Sequence, residues 1–332
     1  LFDISAFVTY QVFEYEVLQA VQFEQIAVMP NPRSYSNAAV VGDLIYVIGG
    51  IDGIASTDPM SIDIDSYDPA ADIWDTTLAP MPTARAGMAV ESVGNLIYVI
   101  GGLLDGILGE TDVMEVYNTT DDSWETRPTP LPGPKRHGMG TTVKDSVIYV
   151  FGGKNSSEKE LNVVYRFDTV LESWGALNPM TAKRTQFACV LKDDSVYVAG
   201  GNPVVGPGSD LTPLIEVYDT IGGEWSYPPT GPSIADIAPD PYEAILAPCW
   251  ENVQGKIVFA GGAYALDLLE EKVYIYNELT ETFMHVGQLV LPRASFASVS
   301  WNNQIFLFGG VALSDDIPPI PYLTSTAEKG TL

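Results

Sequence analysis

The sequence is poor in cysteine, histidine and basic residues. It has two cysteines and two histidines in 332 residues. This scarcity argues against a disulfide-stapled scaffold and against a cysteine-rich zinc site. Lysine and arginine together number 16, against 43 aspartates and glutamates, which gives a formal net charge of −27 at pH 7. We therefore expect no nucleic-acid partner, because phosphate binding requires clustered cations.

Long apolar stretches are also missing. No run approaches the roughly 18 residues that cross a bilayer as a helix, so membrane insertion is not expected. The opening residues 1–30 contain no lysine or arginine and alternate as strands do, which does not fit a signal peptide. The apolar content is nevertheless 46%, enough for a sizeable core.

Six Gly-Gly doublets, each after a short apolar run, divide the chain into repeats. The runs, such as LIYVIGG and VIYVFGG, are typical of β-strands. Five doublets are followed by two aromatic residues seven positions apart, with turn-forming residues between them. Each repeat thus predicts four short strands, and the predicted fold is an all-β, six-bladed β-propeller of four-stranded antiparallel blades. The doublets are Gly49-Gly50, Gly101-Gly102, Gly152-Gly153, Gly200-Gly201, Gly261-Gly262 and Gly309-Gly310, and the aromatic pairs are Tyr67/Trp74, Tyr117/Trp124, Phe167/Trp174, Tyr218/Trp225 and Tyr276/Phe283.

These repeats resemble the kelch repeat. The resemblance rests on the doublets, on the aromatic pairs and on a Met-Pro-x-x-Arg stretch after the second aromatic, as in Met81, Pro82 and Arg85. It extends over about residues 10–310 and implies one propeller domain over 1–332. The predicted blades span about 34–84, 85–135, 136–183, 184–240, 241–292, and 293–310 together with 10–28, and residues 311–332 are predicted to be a C-terminal tail.

The last blade is expected to combine both ends of the chain. Phe23 lies ten residues before Arg33, as Phe283 lies ten residues before Arg293. Residues 10–28 are therefore predicted to supply the outer two strands of the blade whose inner strands lie at 294–309. This closure leaves no free innermost strand.

Arginine recurs 16 residues before five of the doublets, and Ile245 takes the sixth position. Each arginine should begin an innermost strand near the channel mouth. There the guanidinium groups could bind a carboxylate, an acidic peptide or a sugar acid. The simpler interpretation, which we favour, is structural, with each arginine pairing with backbone carbonyls or a neighbouring carboxylate. The five are Arg33, Arg85, Arg136, Arg184 and Arg293.

The loops separate onto two faces. The loops after the second strands and those between blades are long and share one face, which we call the long-loop face; the turns after the first and third strands share the opposite, short-turn face. The stretch at about 227–246, on the long-loop face, is eight to ten residues longer than its equivalents and contains five prolines. It is a candidate binding loop, with neutral loop growth as the alternative. Its candidate binding residues are Tyr227, Asp236, Asp240 and Tyr242.

The chain lacks a recognisable catalytic or metal-binding constellation. His137 and His285 fall on different parts of the predicted propeller. Cys189 and Cys249 are expected to be free buried thiols, with a disulfide through an irregular strand as the alternative. The aspartates of SIDIDSYD at 61–68 suggest either calcium ligands or, in the simpler interpretation, a solvated acidic face. We expect no catalytic residue, no cofactor and no metal site.

Asn118 and Asn155 begin Asn-x-Ser/Thr glycosylation acceptors in predicted turns or loops. With the high acidity, they favour an extracellular or cell-surface location over a cytoplasmic one. The leading hypothesis is a non-catalytic binding or scaffold module that recognises a protein or glycan through the long-loop face, within a larger assembly. The alternatives are a sugar-active enzyme of the mutarotase or oxidase kind at the arginine-lined mouth, and an acidic calcium-dependent matrix protein.

Overall fold

The computed structural model describes residues 20–55, 57–105, 109–157, 159–201, 215–227, 248–265, 268–314, 316 and 320–332. These residues form strands, bends and turns, with no helix among them. The strands in chain order are β1 (Val21–Ile26), β2 (Asn37–Val41), β3 (Leu44–Ile48), β4 (Ile64–Asp68), β5 (Ile73–Asp75), β6 (Ala89–Val93), β7 (Leu96–Ile100), β8 (Met114–Asn118), β9 (Ser123–Thr126), β10 (Gly140–Lys144), β11 (Val147–Phe151), β12 (Lys154–Asn155), β13 (Lys159–Glu160), β14 (Val164–Asp168), β15 (Ser173–Leu177), β16 (Phe187–Lys192), β17 (Ser195–Gly200), β18 (Glu216–Asp219), β19 (Trp225–Ser226), β20 (Cys249–Val253), β21 (Lys256–Ala260), β22 (Ala263–Ala265), β23 (Leu268–Leu269), β24 (Lys272–Asn277), β25 (Thr282–Gln288), β26 (Ala297–Trp301), β27 (Gln304–Phe308), β28 (Val311–Leu313), β29 (Pro321–Leu323) and β30 (Ala327–Thr331).

The strands form an all-β propeller with four-stranded antiparallel blades. Blade 1 is β2-β3-β4-β5, blade 2 is β6-β7-β8-β9, blade 3 is β10-β11-β14-β15 and blade 4 is β16-β17-β18-β19. An eight-stranded sheet follows the order β20-β21-β24-β25-β1-β30-β27-β26. We call β20-β21-β24-β25 its fifth group and β26-β27-β30-β1 its terminal group; the two meet where β1 and β25 run parallel. Two-stranded ribbons follow the second strand in blade 3 (β12-β13), the fifth group (β22-β23) and the terminal group (β28-β29).

The innermost strands surround a central channel. Each innermost strand contacts the next in a closed cycle, in the order β2, β6, β10, β16, β20, β26 and back to β2. In this cycle β6 and β20 are three steps apart, so they face each other across the channel. Buried apolar clusters join each sheet to the next around the cycle, including Tyr67 with Phe308 and Tyr117 with Ile48.

The terminal group corrects one sequence-based expectation. Its third strand is β30, from the segment predicted to be a tail, and residues 21–26 supply only the fourth strand. The other predicted contributors before residue 20 lie outside the described residues. The reason is visible in the register: Gly330 pairs with Phe23 where other blades pair a tyrosine or phenylalanine with a tryptophan. The Phe23 ring covers Gly330 and leaves no room for a Cβ. The third strand therefore has no aromatic residue at the position that marks it in the other repeats.

The repeated aromatic pairs join neighbouring sheets, as expected from their size. The Tyr67 and Trp74 ring centroids lie 5.1 Å apart, and Trp74 also packs edge-on against Phe308 of the terminal group. Trp74 Nε1 donates to the Ala27 carbonyl at 3.0 Å. The tryptophans of blades 2, 3 and 4 bond in the same way to the preceding blade, through Ala79, Thr129 and Asn178.

The doublet glycines are required by a close approach between sheets. Gly49 has φ 55°, and a Cβ there would stand 2.6 Å from the Arg85 carbonyl oxygen. The next glycine, Gly50, donates its N–H to the same oxygen at 3.0 Å. Gly310 makes the equivalent bond to the Arg33 carbonyl at 2.9 Å. This bond joins the terminal group to blade 1.

Candidate functional site

The five repeated arginines are buried, each 2% exposed or less. Four of them form ion pairs with a carboxylate from the third strand of their own sheet. Arg33 Nη1 lies 2.7 Å from Asp65 Oδ2, and Arg184 Nε lies 3.0 Å from Glu216 Oε1. Arg85 and Arg293 pair in the same way with Glu115 and Glu328.

Backbone carbonyls complete the arginine sites. Arg85 Nη1 donates to the carbonyls of Gly101 at 3.1 Å and Val113 at 3.0 Å. Burial lowers the pKa of Arg85, and the nearby Glu115 carboxylate opposes that shift. These contacts match the structural interpretation, in which each arginine holds its own sheet together through carbonyls and a carboxylate. Direct ligand binding by the five arginines stays an untested prediction, without an exposed guanidinium to support it.

Arg136 of blade 3 lacks the carboxylate partner that the other four arginines have. Tyr165 stands at the third-strand position, and the Arg136 guanidinium carbon lies 5.2 Å from its ring centroid. Nη1 donates to the carbonyls of Pro132 and Pro134 at 2.9 Å each, while Nε and Nη2 have no hydrogen-bond partner. Burial lowers the pKa of Arg136 to about 10. The group is a buried cation held by carbonyls and an aromatic face.

A ring of backbone hydrogen bonds surrounds the channel mouth on the long-loop face. The residue two positions after each arginine has a left-handed backbone conformation, with φ between 52° and 64°. In four of the five, its N–H donates to the carbonyl of the equivalent residue in the preceding sheet at 2.8–3.0 Å. The described bonds run from Tyr35 to Ser295, from Gly87 to Tyr35, from Gly138 to Gly87, and from Gln186 to Gly138.

Side chains narrow this mouth further. Gln186 Nε2 donates to Tyr35 Oη at 3.1 Å, joining blade 4 to blade 1 across the opening. Blades 1 and 4 are three steps apart in the cycle, so the bond spans the channel. Behind it lies a cavity of about 470 Å³, lined by the innermost strands.

Two half-buried carboxylates face this cavity from opposite sides. Glu91 lies on β6 and accepts from Thr141 Oγ1 at 2.7 Å, and Glu251 lies on β20 and accepts from Ser298 Oγ at 2.7 Å. Burial raises the pKa of each to about 7. The described lining contains no lysine, arginine or histidine. Sequence reasoning missed both glutamates, although each stands ten residues before a doublet, where other repeats have alanine, threonine or valine.

The remaining candidate residues do not converge. Cys189 and Cys249 are free thiols, as expected, and burial holds their pKa well above the usual range. His137 Nδ1 lies 3.5 Å from Glu110, and burial lowers the pKa of His137 to about 4. His285 bonds the Gly287 carbonyl on an outer strand. The described residues hold no group of three or more histidines, cysteines or acids placed to bind a metal ion.

The acidic stretch at 61–68 has partners within the protein. Asp65 pairs with Arg33, Asp63 lies 3.5 Å from the same guanidinium, and Asp68 accepts from the N–H groups of residues 70 and 71. These contacts explain the carboxylates without calcium.

The two glycosylation acceptors lie in Asx-type turns. Asn118 Oδ1 accepts from the N–H of Thr120 at 3.0 Å, as Asp68 does in the equivalent turn of blade 1. Asn155 Oδ1 accepts from the N–H of Ser157 at 3.2 Å. The fold therefore accounts for Asn118, and glycosylation at either site stays a prediction. No helix of sufficient length and apolarity to cross a membrane occurs among the described residues.

The long-loop face carries exposed apolar side chains on blade 4, the fifth group, the terminal group and blade 1. Tyr227, which lies close to Glu216 and Arg184, is 39% exposed. The other inserted-loop candidates, Asp236, Asp240 and Tyr242, lie outside the described residues. Val28, Ile62 and Val290 are also exposed on loops of this face. We call the other five exposed side chains the apolar arc. Its members are Tyr227 on blade 4, Leu268 in the fifth group, Ile320 and Tyr322 in the terminal group, and Ile54 on blade 1, at 39–58% exposure.

Comparison with known proteins matches this architecture. The solved chain entitled "Structure of YjhT" superposes with a TM-score of 0.67 at 18% identity, covering 90% of this chain and 99% of that one. This likeness concerns the fold. A family model described as KLHDC2/KLHL20/DRC7 Kelch-repeats domain matches residues 87–310, and a Kelch motif matches residues 32–82. The chain belongs to the kelch-repeat family.

Curated relatives share the repeats at low identity. Kelch-like protein terF of Aspergillus terreus is 28% identical over 211 residues, 60% of this chain and 45% of that protein. Kelch-like protein 41a of Danio rerio is 24% identical over 284 residues, 85% of this chain and 43% of that protein. Alpha-scruin of Limulus polyphemus is 25% identical over 317 residues, 91% of this chain and 33% of that protein. The chain thus spans less than half the length of these relatives.

Proposed function

We propose that this chain is a six-bladed propeller that binds a protein partner through its long-loop face, without catalysis. The count of six rests on treating the fifth and terminal groups as separate blades. The closed cycle of innermost strands and the Gly310–Arg33 bond support it. Kelch propellers typically mediate protein–protein interaction, which supports the class of function.

The observation that carries the binding proposal is the apolar arc. Its side chains lie on loops and ribbons of blade 4, the fifth group, the terminal group and blade 1, and exposed apolar groups on one face are typical of protein interfaces. Tyrosine contributes a large contact area together with a hydrogen-bonding hydroxyl. The described channel gives an enzyme little support, because its lining offers two glutamates but no arginine, histidine or aspartate.

A capture experiment with matched variants tests this proposal. The triple variant Leu268→Ser, Ile320→Ser, Tyr322→Ser removes the centre of the apolar arc. The control Ile73→Ser, Met284→Ser removes exposed apolar groups from outermost strands. We expect the wild type and the control to retain the same partner from crosslinked source material, and the arc variant to lose it at unchanged melting temperature. Equal retention by all three proteins would contradict the proposal.

We also propose an extracellular or cell-surface location, with the partner held in a larger assembly. The two glycosylation acceptors and the net charge of −27 support this location. A shift in mass of native material after enzymatic deglycosylation, lost in Asn118→Gln and Asn155→Gln, is the expected result. Unshifted native material would remove the support of the acceptors, and the binding test above would stand independently. A glycan partner would appear as binding by the deglycosylated chain to a glycan array.

A further inference from the structure

The short-turn face carries a second set of exposed apolar residues. In each of the five described repeats that have a turn between the third and fourth strands, the turn is closed in the same way. The first residue of the turn accepts, through its side-chain oxygen, a hydrogen bond from the N–H two residues later. These acceptors are Asp68, Asn118, Asp168, Asp219 and Asn277.

The residue at the tip of this turn differs between repeats. It is Ala70 in blade 1 and Thr120 in blade 2, but Val170, Ile221 and Leu279 in the next three sheets. The last three are 76%, 75% and 97% exposed. Leu171 beside Val170 is 72% exposed. Because the same turn forms with alanine or threonine at the tip, the aliphatic side chains are not needed for folding.

Hydrogen bonds and ion pairs link the three apolar tips in series. Thr169, next to Val170, donates through N–H and Oγ1 to the Ser146 carbonyl at 3.0 and 2.9 Å. Lys144, two residues before Ser146, donates to Thr220 Oγ1 at 2.9 Å and pairs with Asp194 of blade 4. Thr220 stands next to Ile221. The tips of blades 3 and 4 are therefore parts of one surface.

The same connection continues to the fifth group. Thr220 N–H donates to the Asp194 carbonyl at 2.9 Å, which joins the two turns of blade 4. Lys192, at the end of β16, forms an ion pair with Glu278, next to Leu279. We call Val170, Leu171, Ile221 and Leu279, with the turns that hold them, the tip surface.

The tip surface is strongly acidic. The turns that compose it, 145–146, 169–172, 193–194, 220–224, 254–255 and 278–281, contain aspartate and glutamate but no lysine or arginine. The cations Arg127, Lys144 and Lys192 pair with Glu172, Asp194 and Glu278. The same turns also contain Asp145, Asp193 and Glu224. The surface thus presents aliphatic groups within a field of negative charge.

We infer that the tip surface is a second docking site, which binds a basic amphipathic segment of a partner protein. Such a segment offers apolar side chains to the aliphatic tips and lysine or arginine to the surrounding carboxylates. A second copy of this chain is a poor match, since each copy carries a net charge of −27 and like charges would oppose each other. This site lies on the face opposite the apolar arc and does not depend on the function proposed there.

Titration with peptides of known chemistry tests this inference on the full chain. The probe is a fluorescent, helix-forming peptide of leucine and lysine with one apolar face. The first control has the same composition with the apolar face scrambled, and the second replaces lysine by glutamate. We expect both controls to bind more weakly than the probe by about tenfold or more.

Protein variants separate the tip surface from general acidity. Val170→Ser, Ile221→Ser, Leu279→Ser should weaken probe binding by about tenfold or more, while Ile73→Ser, Met284→Ser changes it by less than about twofold. Equal binding by the tip variant, or equal binding of the scrambled peptide, would overturn the inference in favour of nonspecific charge attraction. Absence of probe binding to the wild type would also overturn it. Sedimentation that shows a wild-type dimer, lost in the tip variant, would assign the surface to a second copy instead.

Discussion

Two parts of the same repeats differ in which residues recur: the tip surface, and the layer at the channel mouth formed by the five arginines, the left-handed residues after them and the doublet glycines, which we call the mouth layer. In the mouth layer the arginine, the left-handed residue after it and the doublet glycines recur around the channel, and they are buried or bonded to the next sheet. At the tips the turn recurs, whereas its outermost side chain varies from Ala70 to Leu279. Residues that recur serve the ring, and the varying positions leave room for recognition.

The strongest test of this contrast is the removal of a carboxylate-paired arginine. Arg85→Met keeps most of the side-chain volume but leaves Glu115 buried without its counter-charge. We expect a loss of about 3–5 kcal/mol in the free energy of unfolding, because breaking a buried ion pair leaves the remaining charge uncompensated. Urea unfolding followed by tryptophan fluorescence measures it. A loss below about 1 kcal/mol would mean that the pair is not a structural link.

The channel glutamates vary between repeats but lie inside the fold, and their effect depends on pH. Burial raises the pKa of Glu91 and Glu251 from 4.5 to about 7, so the folded state favours the protonated form. The stability that they contribute is complete below pH 4.5 and is lost as the pH rises through about 7. Glu91→Gln, Glu251→Gln should therefore raise the free energy of unfolding at pH 8 by a few kcal/mol, with an upper bound of about 3 kcal/mol for each glutamate.

The control for this pH effect is the double variant Glu24→Gln, Glu125→Gln, whose side chains are 67% and 65% exposed. It should leave the difference between pH 4.5 and pH 8 unchanged, although it removes the same charge. If it gives the same gain as the channel variant, overall charge repulsion rather than the channel explains the pH dependence.

Arg136 shows the contrast within the mouth layer itself. It recurs in sequence, but Tyr165 replaces the carboxylate, so Arg136→Met leaves no buried carboxylate without its counter-charge. Two hydrogen bonds to proline carbonyls are lost, while a buried cation with two unpartnered nitrogens is removed. We expect a change of about 1 kcal/mol in either direction, well below that of Arg85→Met. Equal losses in the two matched variants would show that the arginine acts without its carboxylate.

Much of the ring could be predicted because its signals are local. A doublet after an apolar run and two aromatics seven residues apart lie within single strand pairs, and both recur. The particular partner of Arg85 could not be predicted in the same way, because Glu115 lies 30 residues away on another strand. The third strand of the terminal group was missed because Gly330 replaces the aromatic residue that marks this position elsewhere. The apolar tips were overlooked because their pattern appears only when turns of successive sheets are compared.

The smallest expected effect belongs to the tip surface. Ile221 is 75% exposed, and Asp219 accepts its backbone N–H at 2.8 Å, a bond that any side chain permits. Ile221→Ser should therefore change the free energy of unfolding by less than about 0.5 kcal/mol. The same urea unfolding measures it, with Trp225→Ala, which removes a repeat aromatic four residues later, as the destabilising reference. A loss above about 1 kcal/mol would show that the isoleucine packs within the fold, and the aliphatic tips would then need no partner to explain them.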